Sequence, residues 1–155
     1  MPDLVILTDG GAGGARYADI ENPADVWTFV EQPSGTTPSG AVPYRFIASL
    51  GDVSRPAPFL YTVELDIAEA DLPAVFDWYE KEHLPMLTSC PGCIGGTRYQ
   101  RLDGGAPNLL AAYRFEMPEA NATPEWIAAR STPWTERVRP LFRTFRRFTR
   151  RLLPG

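Results

Sequence analysis

Phe59-Leu-Tyr-Thr-Val-Glu-Leu-Asp-Ile67, followed shortly by Asp71-Leu-Pro-Ala-Val-Phe-Asp-Trp-Tyr-Glu-Lys-Glu-His83, is the stretch on which the fold turns. In its first part Phe59, Tyr61, Val63, Leu65 and Ile67 fall on alternate positions, which is the period of a strand with one apolar face. The other face carries Thr62, Glu64 and Asp66, so carboxylates point into whatever that side of the sheet covers. In the second part Leu72, Val75, Phe76, Tyr79 and His83 recur at helical spacing, with Asp71 as the expected N-cap and Pro73 in the first turn. A strand therefore hands over to a helix whose buried stripe includes His83, the one histidine of the chain.

Downstream, Pro85 is expected to limit the regular helix, and Cys90-Pro-Gly-Cys93 with Gly95-Gly96 turns the chain into a strand over Thr97–Leu102. Asp103-Gly-Gly-Ala-Pro-Asn108 connects this strand to a second over Leu109–Glu116, which predicts an antiparallel hairpin. Thr123-Pro124 and Thr132-Pro133 each place an N-cap candidate before a proline, the signature of two short helices. Arg143–Leu153 fits both a helix, through Phe142, Phe145, Phe148 and Leu152, and a strand, through Phe148, Arg150 and Leu152.

Upstream, residues 1–58 read as an irregular N-terminal extension or lid with short strands at Leu4–Thr8, Val26–Val30 and Tyr44–Leu50. Asp9-Gly-Gly-Ala-Gly-Gly14 imitates a nucleotide-binding turn, but the glycine spacing is wrong and Asn22-Pro23 interrupts the helix that should follow. A flexible loop is the better reading. Gln32–Gly40 is a loop by composition, and Arg55-Pro-Ala-Pro58 marks the boundary before the regular domain at residues 59–155.

Composition narrows the function. The chain has 155 residues, net charge −4, two cysteines and no apolar run of about 18 residues, so one globular domain without a membrane span is expected, in the cytoplasm. Residues 1–58 carry three basic and seven acidic side chains, residues 59–129 four and eleven, and residues 130–155 eight and one. A basic tail suits nucleic acid, but Arg143, Arg146, Arg147, Arg150 and Arg151 lie beside an acidic body that offers ion-pair partners, so nucleic acid is not the expected ligand.

If the last segment is extended, the order from Phe59 is strand, helix, strand, strand, helix, strand, an α+β ferredoxin-like βαββαβ unit. Helices cover one face of such a sheet and the other needs a cover of its own. A second copy of the sheet supplies it, which predicts a homodimer built as a dimeric α+β barrel. Asp77-Trp-Tyr-Glu-Lys-Glu-His-Leu-Pro85, with Pro91-Gly92 and Arg98-Tyr99 after it, resembles the EthD-like proteins of that architecture over residues 59–153. Cys90 and Cys93 depart from the apolar residues usual around that turn. The resemblance implies a small-molecule site. It also implies a choice among lactone isomerases, polyketide cyclases, dehydratases, cofactor-free monooxygenases and proteins without known activity, because fold does not select function. Haem-binding relatives exist, but no other haem cue is present and no cofactor is expected.

His83 is the candidate acid or base, since its ordinary pKa lies near neutrality, and Glu64 is the candidate partner that orients it. Arg98 and Arg114, on neighbouring strands, are candidates to hold a carboxylate, enolate or phenolate, provided they share a face with Glu64. Trp78, Tyr79 and Trp134 are candidate walls for a ring-containing substrate, with Trp126 a further source of aromatic surface. Cys90 and Cys93 follow a helix rather than open one, and with His83 they fall short of a zinc ligand set, so neither redox catalysis nor a metal site is expected. Asn121-Ala-Thr123 matches a glycosylation sequon, but Pro124 argues for helix capping. The expected function is a cofactor-independent lyase, isomerase or cyclase acting on a small apolar oxygenated ring. The alternatives are a cofactor-free monooxygenase and a non-catalytic binding or assembly protein.

Overall fold

The structure, a computed structural model, describes residues 3–8, 11, 13–32, 39–54 and 56–155. The elements that decide its architecture are the strands β5 (Phe59–Ile67), β6 (Cys93–Arg101), β7 (Leu109–Phe115) and β8 (Phe142–Leu152). They pair antiparallel in the order β8-β5-β7-β6, the ferredoxin-like order expected from the sequence. Arg143–Leu153 is thus extended. It pairs with β5 along the whole of that strand, and Arg143 reaches Asp66 at 2.7 Å and Arg146 reaches Glu64 at 3.6 Å across the ladder.

Helix α1 (Leu72–Trp78) runs into a π-helical turn at Tyr79–His83 and on into α2 (Leu84–Thr88). Pro85 does not end the helix as the sequence suggests. Its missing N–H leaves a carbonyl of the preceding turn without a donor, and the chain accommodates this by widening, with Leu84 N–H donating to Tyr79 O five residues back. Asp71 makes no side-chain cap; a short 3-10 turn at Glu69–Asp71 leads into the helix instead. Helices α3 (Pro124–Ala129) and α4 (Pro133–Val138) are capped as expected, by Thr123 accepting from Trp126 N–H and Thr132 from Thr135 N–H.

The larger correction concerns what covers the second face of the sheet. Strands β1 (Asp3–Leu7), β2 (Ala15–Asp19), β3 (Val26–Gln32) and β4 (Ala41–Gly51) form a second four-stranded sheet in the order β4-β1-β3-β2. Fourth, first, third, second is the strand order of both halves. Where the C-terminal half has helices, the N-terminal half has none among the described residues. The glycine-rich lid expected at residues 9–14 and the loop at 32–40 lie largely outside the described residues, as does Arg55. Pairing of β2 with β8 and of β4 with β6 closes an eight-stranded barrel within one chain. The second copy invoked from sequence is therefore not needed to close the barrel, because residues 3–51 supply the facing sheet.

Alternation along each strand divides the interior. Tyr61, Val63, Leu65, Tyr113 and Phe115 face the helices and pack on Val75, Trp78 and Trp126 in the principal core. Leu4, Ile6, Tyr44, Tyr99 and Leu110 fill the barrel lumen, with Tyr17, Leu60 and Ala112 beside them. Helix α2 approaches the sheet closely at Gly96, where an added Cβ would lie 2.9 Å from Tyr113 and 3.1 Å from Leu84.

Residues 59–155 expressed alone expose the lumen face and leave β6 and β8 as unpaired edges. That fragment is expected to be insoluble or self-associated in sedimentation experiments, whereas a monomeric, cooperatively folding fragment would show that the N-terminal sheet is dispensable.

Candidate functional site

Between the outer face of β5, β7 and β8 and the four helices lies a cavity of about 430 Å3. Tyr61, Trp78, Tyr79, Tyr113, Trp126 and Phe142 supply aromatic wall, and Val63, Leu65 and Leu87 supply aliphatic wall. His83 lines it from the π-helical turn. Its ring stacks on Trp78, with centroids 4.0 Å apart and planes at 21°, and meets the edge of Tyr79 at 5.3 Å. Trp78 is itself fixed by donating from Nε1 to Thr135 Oγ1 at 3.2 Å. Thr132 donates to Glu82 Oε2 at 2.7 Å, which ties the π-helical turn to α4. The imidazole is thus held on a rigid frame.

Two polar atoms in this apolar wall lack well-formed hydrogen bonds. His83 Nδ1 is buried without a hydrogen bond, and Tyr113 Oη is buried with the Tyr79 hydroxyl near it but in no well-formed hydrogen bond. A buried polar group left unpaired costs on the order of 1–3 kcal/mol, so a ligand group or water that met either atom would recover part of that. Burial, then the positive charges of Arg98 and Arg139, lower the His83 pKa to about 3. At neutral pH the ring is uncharged and one of its nitrogens is a hydrogen-bond acceptor. Burial pushes Tyr79 up to about 12 and Tyr113 well above the ordinary tyrosine value, so both hydroxyls stay protonated.

The candidate residues separate by strand parity. Trp78, Tyr79 and His83 all line the chamber. Glu64 does not join them, because it leaves β5 on the lumen side, opposite Tyr61 and Val63, and pairs with Arg146. Arg98 and Arg114 do not share a face either. Arg98 lies on the helix side, buried, with its guanidinium 4.1 Å from the Tyr79 centroid and 4.9 Å from that of Phe76. Arg114 lines one end of the lumen beside Thr97, Tyr99 and Glu31. Trp134 packs against the core but does not line the chamber. Cys90 and Cys93 are free thiols, and burial pushes Cys93 up to about 12, far from thiolate reactivity.

Sequence reasoning missed several lining residues. Tyr61 and Tyr113 were legible in principle, since both sit on the apolar face of their strands. Arg130, Arg139 and Arg147 also line the chamber, and nothing in the spacing of an arginine-rich tail singles them out.

No protein-family profile matches the sequence, and no curated protein matches it. Solved structures do match its fold. A ferredoxin fold protein related to antibiotic biosynthesis monooxygenases from Listeria monocytogenes has a TM-score of 0.68 at 7% identity, over 100% of this chain and 97% of that one. A monooxygenase-like protein from Listeria innocua has 0.67 at 9% identity, over 99% and 96%. A heme-degrading enzyme from Listeria monocytogenes has 0.62 at 9% identity, over 91% and 86%. Similarity at this identity establishes the ferredoxin-like fold of the chain and carries no activity with it.

The depressed His83 pKa has a thermodynamic consequence. Below the ordinary histidine range near 6.5, the unfolded chain takes up a proton that the folded chain refuses until about pH 3. Stability therefore falls as pH drops through that window, by up to about 1.4 kcal/mol per pH unit from this residue. Urea denaturation between pH 7 and pH 4 is expected to show a shallower loss for His83→Gln than for the unaltered chain. Parallel curves for the two proteins would mean that His83 is solvated.

Proposed function

We propose that the chamber binds a ring-bearing organic molecule and that the neutral His83 imidazole removes a proton from it, with no bound cofactor. The observation that carries this reading is an aromatic cavity whose wall contains a buried imidazole nitrogen with no protein partner. Trp78, Tyr79, Tyr61 and Trp126 offer faces and edges against which a planar ring packs. An acidic C–H or O–H presented to His83 passes its proton to the imidazole. The imidazolium then forms beside the new negative charge, an ion pair that the low local dielectric strengthens. The protonated Tyr113 hydroxyl is the donor available to the developing oxyanion. Arg98, behind Tyr79, adds positive potential without touching the ligand.

The deprotonated ring then has two fates. Reprotonation at another atom, expulsion of a leaving group or ring closure gives an isomerase, lyase or cyclase. Capture by dioxygen gives a monooxygenase, in which a ring methylene and dioxygen yield a ring carbonyl and water, with one oxygen atom in each product. The monooxygenase-like description of several fold neighbours favours this second fate. The heme-degrading neighbour lends its fold alone.

A panel of ring lactones, enones and polycyclic phenols, followed by an oxygen electrode and by deuterium exchange from solvent, separates the two. Oxygen uptake marks the monooxygenase, and exchange or product without uptake marks the isomerase, lyase or cyclase. His83→Gln is expected to lower kcat by roughly 100-fold or more with folding retained. For the unaltered chain, kcat/KM is expected to hold level from pH 8 down to about pH 5, because the protonation that would silence His83 lies below the ordinary histidine range. Ligand retention with neither uptake nor exchange would leave a binding protein.

A further inference from the structure

The chamber has a charge that its apolar walls do not require. Among the described residues that line it there are three arginines, Arg130, Arg139 and Arg147, and no aspartate or glutamate. Arg139 is occupied, donating to Glu136 Oε1 at 2.8 Å and to the Arg130 carbonyl at 3.1 Å. Arg130 and Arg147 have no carboxylate partner among the described residues, and Arg147 lies 5.7 Å from the centroid of the exposed Phe145 ring. The contrast with the lumen is direct. There Arg146 pairs with Glu64, Arg150 with Asp25 and Arg101 with Asp103. Elsewhere in β8, Arg143 pairs with Asp66. Within β8, then, Arg143, Arg146 and Arg150 meet carboxylates, whereas Arg147 turns to the chamber without one among the described residues, as does Arg130 at the end of α3.

We infer that the ligand of this chamber is an organic anion, a planar aromatic body seated on Trp78, Tyr61 and Trp126 with a carboxylate or similar acidic group reaching the mouth at Arg130 and Arg147. This rests on the reading that the chamber is the ligand site and adds the substrate class to it. A guanidinium meets a carboxylate with two parallel N–H donors, so a terminal acid would be recognised by geometry as well as by charge. The same arginines act against a cationic ligand, for which the wall offers no counter-charge.

A matched pair of fluorescent probes tests this, anthracene-9-carboxylate and the neutral 9-anthracenemethanol, titrated into the full chain at pH 7.5 and low salt. The carboxylate is expected to bind at least 10-fold more tightly. The Arg130→Gln/Arg147→Gln double variant is expected to abolish that preference while leaving the affinity for the alcohol unchanged. Should that variant fail to fold, the unaltered chain carries the test alone, since its preference for the anion must shrink as added salt screens the arginines. Equal binding of both probes, or a preference that survives both the substitutions and salt, overturns the anion assignment and leaves the chamber reading standing. Binding of neither probe overturns the assignment together with that reading.

Discussion

Strand β5 is buried along almost its whole length, and because successive side chains leave a strand on opposite sides, it must satisfy two interiors at once. Its odd positions, Tyr61, Val63 and Leu65, are apolar and face the helices. Its even positions include Thr62, Glu64 and Asp66, which cannot be buried without partners. Much else follows from that division. Strand β8 lies beside β5 and is rich in arginine because Glu64 and Asp66 need cations within reach. The N-terminal strands are recruited because the lumen face, with Leu60 and Ala112 as well as the carboxylates, has to be closed off from water.

The N-terminal sheet meets this demand with a minimal version of the same plan. Both halves run fourth, first, third, second across the sheet, and both seams are antiparallel, so the lumen is sealed by backbone hydrogen bonds all the way round. Among the described residues, only the C-terminal half keeps helices. That asymmetry is what makes the chamber: helices roof the outer face of β5–β8 and enclose a cavity there, and no described helix does the same for β1–β4.

The parts of this arrangement that the sequence discloses are those governed by short-range rules. Alternation at Phe59–Ile67, turn chemistry at Asp103–Asn108 and the Thr-Pro pairs at 123 and 132 each act within a few residues, and each element forms where those rules place it. The tail at 142–152 is ambiguous locally because its Phe and Arg residues satisfy both periods, and long-range pairing with β5 and β2 decides it. Strand β2, Ala-Arg-Tyr-Ala-Asp, is too short and mixed to announce itself. Closure of the barrel within one chain depends on β2 meeting β8 and β4 meeting β6, contacts that no local pattern encodes. The candidate site was half legible for the same reason. Trp78, Tyr79 and His83 share a helical face that spacing reveals, whereas the separation of Glu64 from His83 and of Arg114 from Arg98 depends on which side of the sheet each faces. That parity is fixed by burial of the whole strand, not by the residue itself.

Burial is the main reason the imidazole is neutral, the cations Arg98 and Arg139 add to it, and no carboxylate among the described residues of the chamber wall offsets them. A single aspartate there would draw a proton onto His83, pair with Arg130 or Arg147, and turn the cavity into an ion-pair cluster like that of the lumen around Glu64 and Asp25. Without it, burial and the nearby cations hold the imidazole neutral, and the mouth keeps donors to spare. The missing negative charge is then the property a ligand would bring. A negative charge brought near His83 would offset part of what Arg98 and Arg139 contribute to its low pKa, whereas burial, the larger cause, would persist or deepen with the chamber filled, so the two effects of a bound acid on the imidazole oppose each other.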